Sequence, residues 1–157
     1  MSARVSVGSE DFDVSTELAR LRAGDAGVGA LACFVGTVRE HSEGAAIHGM
    51  ELEHYPGMTE QAIEAMIDEA LRRFDIRAAR VVHRVGALAP GEQIVLVAVA
   101  SAHRGAAFQA CEFLMDYLKT QAPFWKKEHS AQGARWVDAR VADDAALARW
   151  GIEARNA

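Results

Sequence analysis

Ser101 to Glu128 holds the densest set of residues able to do chemistry in this chain. The stretch opens with SAHRG after an apolar run and closes with MDYLKTQAPFWKKE. His103, Arg104, Lys119, Lys126 and Lys127 therefore fall within one strand–helix–strand unit. The whole chain carries a formal net charge of −5, so cations packed into one segment are not a solubility device. Such clustering points to an anionic ligand, most simply a phosphate ester, held beside a lysine able to do chemistry.

Each of these positions has an ordinary reading beside the chemical one. His103 and Arg104 stand where a buried strand ends and a helix begins, and the small Gly105, Ala106 and Ala107 let a ligand approach the helix amides. Free N–H groups and the positive end of the helix dipole favour an anion there. Arg104 adds the option of a bidentate phosphate contact. An arginine–carboxylate pair beside a backbone-bonded histidine accounts for the same dipeptide about equally well. Lys119 lies in the last turn of that helix, where a cation is ordinary for dipole reasons alone. Beside a second cation in a desolvated site, a lysine loses its proton more readily and can transfer protons or act as a nucleophile.

Lys126 and Lys127 alternate on an extended segment: the first shares a face with Phe124 and Glu128, the second with Trp125 and His129. One lysine must face away from any common pocket, and parity leaves open which. Arg39 closes a long strand, with Thr37 on its face by alternation. The histidines at 41, 48, 54, 83 and 129 show no i,i+4 pairing on a helix and no accompanying cysteine cluster, so no metal is expected. There is no GxGxxG, Walker loop or GxSxG elbow.

The elements that must position these groups can be read from pattern. At 157 residues the chain supports one domain with a real core. Its acidic balance argues against nonspecific nucleic-acid binding. The amino terminus shows no apolar leader, and the longest apolar run, Ile94 to Ala100, is far short of the ~20 residues a membrane helix needs. A cytoplasmic location is expected, with Cys33 and Cys111 as plain buried residues.

Strands are expected at 3–8, 28–39, 48–55, 79–86 and 92–101, the last two joined at Pro90-Gly91. A polar loop is expected at 40–46. A first helix carries Val14, Leu18 and Leu21, with Asp13 as N-cap. Ile63, Met66, Ile67, Ala70, Leu71 and Phe74 make the clearest amphipathic helix, after Pro56-Gly57. A helix at 105–121 places Phe108, Cys111, Met115 and Leu118 toward the core. FWKKEH and RWVDAR read as a terminal strand pair before a short helix at 142–150. QIVLVAVAS is apolar on both faces and belongs at a sheet centre. The order β-α-β-β-α-β-β-α-β-β-α predicts an α+β fold, a mostly antiparallel sheet with two long packed helices. Residues 1–150 are expected to form the single domain and 151–157 a flexible tail.

FVGTVR at 34–39, LEHYPGMTE at 52–60, SAHRG at 101–105, MDYLKTQAPFWKKE at 115–128 and RWVDAR at 135–140 occur in that order. Together they resemble the large, catalytic subunit of molybdopterin synthase, over about residues 3–150. That resemblance implies an α/β hammerhead fold and a sulfurtransferase that converts cyclic pyranopterin monophosphate to molybdopterin. It implies that sulfur arrives on the C-terminal Gly-Gly thiocarboxylate of a small ubiquitin-like carrier subunit. It also implies a homodimer of large subunits at the centre of a heterotetramer, without a bound cofactor. Carried over by position, the substrate contacts are Thr37, Val38, Arg39, His103, Arg104, Lys119, Lys126, Lys127 and Glu128, with Lys119 and Lys126 catalytic. The competing reading is a noncatalytic docking module for an acidic partner C-terminus. A phosphatase or nucleotide hydrolase ranks last, because neither a metal site nor a nucleophile is recognisable.

Overall fold

A computed structural model of the chain describes residues 4–42, 45–137 and 141–152. In chain order the elements are β1 (Val5–Gly8), α1 (Val14–Arg22), β2 (Ala30–Thr37), β3 (His41–Ser42), β4 (Ala45–His54), α2 (Met58–Arg73), β5 (Ile76–Arg84), β6 (Gly86–Leu88), β7 (Gln93–Ser101), α3 (Arg104–Gln121), β8 (Phe124–Ser130), β9 (Gly133–Val137) and α4 (Val141–Ala148).

The uncharged run of β7 takes an inner place in a four-stranded sheet of order β1-β5-β7-β2. Only the β1–β5 pairing is parallel there. One face of β7 packs Val95, Val97 and Val99 against α2 and α3. The other packs Leu96 and Ala98 beneath Val14, Leu18 and Leu21 of α1. Both faces are covered, as its composition requires. Asp13 caps α1 by accepting from the Thr16 N–H at 2.9 Å.

A second sheet runs β3-β4-β8-β9, with β6 also pairing with β4, all antiparallel. Thr59, fully buried at the start of α2, ties the entry of that helix to the entry of β8. Its hydroxyl accepts from the Tyr55 N–H and donates to the Pro123 carbonyl, each at 3.0 Å. Gly57 before it has φ +84°, which a side chain would resist. The α+β architecture with two long packed helices is therefore present. Among the described residues no helix is long and apolar enough to cross a membrane.

Several local expectations change. The segment expected as a polar loop at 40–46 instead forms part of a hairpin, His41 and Ser42 pairing with Ala46 and Ala45, while residues 43–44 lie outside the described ones. The strand expected at 79–86 stops at Arg84. Gly86, at φ +89°, redirects the chain so that β6 joins the other sheet. Phe108 is 65% exposed, not in the core, and Leu71 is 39% exposed. Cys33 is exposed as well, because β2 is an edge strand beyond the cover of α1, whereas Cys111 is buried as expected. Of the expected tail, Ile152 packs against the main core, and residues 153–157 lie outside the described ones. Residues 138–140 of the RWVDAR segment also lie outside them.

Candidate active site

The chain doubles back twice around one point. β7 leads through His103 into α3, which returns along the sheet and delivers Lys119 beside the start of β7 and the end of β2. The Ala122-Pro123 link then turns into β8, whose first residues bring Phe124 and Lys126 to the same place. A cavity of about 530 Å³ lies there, between the two sheets and the last turns of α3. Arg39 reaches it from the segment after β2, Lys119 from α3 and Lys126 from β8, with Thr37 and Thr120 adding hydroxyls. Phe34, Met50, Leu52 and Met115 give it apolar wall. Among the described residues no carboxylate side chain lines it, so an acidic protein brings three cations to one concave space.

Local sequence explains the arrangement. Thr37 and Arg39 face the cavity while Val38 between them is 3% exposed, packed with Met50, Leu52 and Leu88. Both backbone groups of Val38 are bonded to the turn before β7, donating to the Glu92 carbonyl and accepting from the Gly91 N–H. The side chain of Val38 thus anchors the strand end and does not reach the cavity. At Gly36 a Cβ would stand 2.9 Å from Val95 Cγ1 and 3.3 Å from Phe34 Cε1, so any side chain there would crowd the wall.

The two adjacent lysines separate as alternation requires, and the structure says which is which. Lys126 lines the cavity with Phe124. Lys127 points to the opposite face, its ammonium 5.3 Å from the Trp136 ring centroid. Glu128, on the side of Lys126 by alternation, is 5% exposed and is not among the residues that line the cavity.

His103 and Arg104 do not join this group within one chain. They are exposed at the N-terminus of α3, whose amides receive no side-chain cap. Fifteen residues of helix separate Arg104 from Lys119, which at 1.5 Å per residue is about 22 Å. The expectation that one strand–helix–strand unit would gather all five cations is corrected by the length and direction of α3.

One cavity residue lay unnoticed in the sequence. His83 on β5 is buried and stacks on Phe124, ring centroids 3.8 Å apart at 18°. Its Nδ1–H donates to the Arg84 carbonyl at 2.8 Å. Burial pushes its pKa down to about 4, and the charges of Lys119 and His54 push the same way, against that hydrogen bond. The available signal was its place on the core face of an apolar strand pattern, after Ala79 and Val81.

The family model described as "MoaE protein" matches residues 7–121. A protein of Ralstonia nicotianae named molybdopterin synthase catalytic subunit is 61% identical over 153 residues, 98% of this chain and 87% of that protein. The structure of a molybdopterin biosynthesis MoaE protein from Burkholderia ambifaria superposes with a TM-score of 0.83 at 57% identity, covering 97% of this chain and all of that one. That of molybdopterin synthase from Staphylococcus aureus gives 0.81 at 28% identity over 88% of this chain and 99% of that one. At this identity and coverage, the chain belongs to the MoaE family, the catalytic subunits of molybdopterin synthase.

Proposed function

We propose that this cavity converts cyclic pyranopterin monophosphate to molybdopterin, in the cytoplasm, with sulfur from the C-terminal thiocarboxylate of a small ubiquitin-like carrier subunit. The observation that carries the reading is the convergence of Arg39, Lys119 and Lys126 on one concave space. Its volume falls within the roughly 300–1,000 Å³ range of small-molecule sites. Lys119 and Lys126 receive the anionic end of the carrier tail, and Arg39 holds the phosphate of the pterin. The carrier's thiocarboxylate sulfur displaces an oxygen substituent from a side-chain carbon of the pterin. Water then cleaves the acyl–sulfur bond and returns the carrier with a C-terminal carboxylate, so no cysteine of this chain is required. The buried thiol of Cys111, pushed up to about 11, fits that absence of a role. Lys119 supplies the positive charge or the proton as the acyl–sulfur bond breaks.

His103 and Arg104 belong in this scheme only if a second copy brings them. The distance along α3 supports a homodimer in which each site takes these two residues from the neighbouring protomer. Two carriers, one at each end, complete the heterotetramer.

The test is product formation from cyclic pyranopterin monophosphate and thiocarboxylated carrier, comparing wild type with Lys119→Ala. Dithiolene product from wild type alone, with carrier binding retained in both, supports the reading. A folded, carrier-bound wild type that makes no product refutes it and leaves a docking module. Lys119→Arg separates the two further, since docking survives a preserved charge and catalysis does not.

A further inference from the structure

The cavity is rich in donors and poor in acceptors. Arg39, Lys119 and Lys126 only donate, and among the described residues no carboxylate or carboxamide lines the wall. The Thr120 hydroxyl is turned back to the Asp116 carbonyl at 3.0 Å. Among the described lining residues the side-chain acceptors are therefore the Thr37 and Thr120 hydroxyls and His83.

His83 is held by two contacts. Phe124 of β8 covers one face of its ring. The Arg84 carbonyl accepts its Nδ1–H, which sets the tautomer and leaves Nε2 with a lone pair. The guanidinium of Arg84 itself is occupied elsewhere, donating to the Ser9 and Gln93 carbonyls. The charged or titratable groups that act on the ring are Lys119 from α3 and His54 from β4. Of these, Lys119 shares the cavity wall with it.

We propose that His83 is a positioning residue for Lys119: its Nε2 accepts a hydrogen bond from the lysine ammonium and aims it into the cavity. A neutral imidazole suits this task better than a carboxylate. It orients the ammonium without cancelling the positive charge that an anionic tail must meet. Burial among cations keeps the ring unprotonated, so the acceptor persists across the working pH range. The inference deepens the proposed function, and its role in turnover rests on that reading.

The experiment has one arm that needs no turnover. In the ¹⁵N-imidazole spectrum of the intact protein, His83 should show protonated Nδ1 and bare Nε2 between pH 5 and 8. Lys119→Met should move the Nε2 resonance downfield, as a lost hydrogen bond does, whereas Lys126→Met should leave it in place. An Nε2-protonated ring, or an Nε2 signal indifferent to Lys119→Met, overturns the proposal even if the protein proves to be an inactive docking module.

The second arm uses His83→Phe, which keeps the stacking on Phe124, and His83→Gln, which restores an acceptor. With unchanged melting temperature, His83→Phe should lower kcat by about 10-fold to 100-fold, the range for a misaimed catalytic group. Carrier affinity and KM should hold, and His83→Gln should recover most of the loss. Wild-type kcat in His83→Phe overturns the assignment. So does equal damage in both variants, which marks a structural role, or a loss confined to carrier affinity, which assigns Nε2 to the carrier tail.

Discussion

Removing Arg104 from one population of subunits and Lys119 from another gives the sharpest check on how the site is assembled. The two residues are separated by about 22 Å of helix, beyond the combined reach of their side chains, and α3 holds that spacing rigidly. If both serve one reaction, they must come from different protomers. A two-fold axis beside the middle of α3 would lay the start of one helix against the end of its copy. Two of the exposed apolar groups lie on the elements such a contact would use: Phe108 on α3 is 65% exposed, and Phe34 on the edge strand β2 is 41% exposed.

Arg104→Ala and Lys119→Ala homodimers then each carry one defect in every site and are inactive. In a mixed dimer, one site collects both defects and the other collects none. After equal mixing and free reassortment about half the dimers are mixed, and half of their sites are intact, so activity should return to about one quarter of wild type. The assay is dithiolene product per subunit after co-expression or reassortment, with mixed dimers counted by intact-mass spectrometry. Mixed dimers present at the expected share but without activity would refute the shared site. Activity near wild type in Arg104→Ala alone would remove Arg104 from the reaction altogether.

Lys126→Ala should abolish turnover while Lys127→Ala retains it, since only the first side chain lines the cavity; equal kcat losses in steady-state assays would contradict that division. His83 gives the folded protein an acid weakness. With a folded pKa of about 4 against 6.5, the unfolded chain binds the extra proton between these values, so stability rises with pH across that window. The loss from pH 7 to 4 amounts to about 3 kcal/mol; denaturant melts should show it in wild type and a smaller fall in His83→Phe. Phe113, fully buried and edge-on to Phe74, Tyr117 and Trp150, should cost about 3–5 kcal/mol when cut to Ala. An unchanged denaturation midpoint would show that this cluster does not hold α3 and the C-terminal segment together.

What the sequence made legible depended on whether a pattern carried its own reference frame. The i, i+3, i+4 spacing of Ile63, Met66, Ile67 and Ala70 defines a face by itself, and all four are buried. The two-sided apolar run of β7 likewise announces a central strand. Phe108 and Cys33 show where such patterns stop. Each has the right spacing, but each sits beside an edge where this chain supplies no cover, and spacing does not count the neighbours. Parity divided Lys126 from Lys127 without saying which side was inward. That needed β8 to find its partners, Leu52 opposite Lys126 and Glu51 opposite Lys127. The distance from Arg104 to Lys119, by contrast, was in the sequence throughout. An uninterrupted helical pattern from 105 to 121 fixes its two ends far apart, and motif proximity along a chain is no proximity in space. His83 was the hardest to see, because a lone histidine in an apolar strand looks like filler. The carbonyl that sets its tautomer belongs to the next residue, but the aromatic ring that fixes its plane and the cavity that gives its second nitrogen a use are assembled from residues far away in sequence.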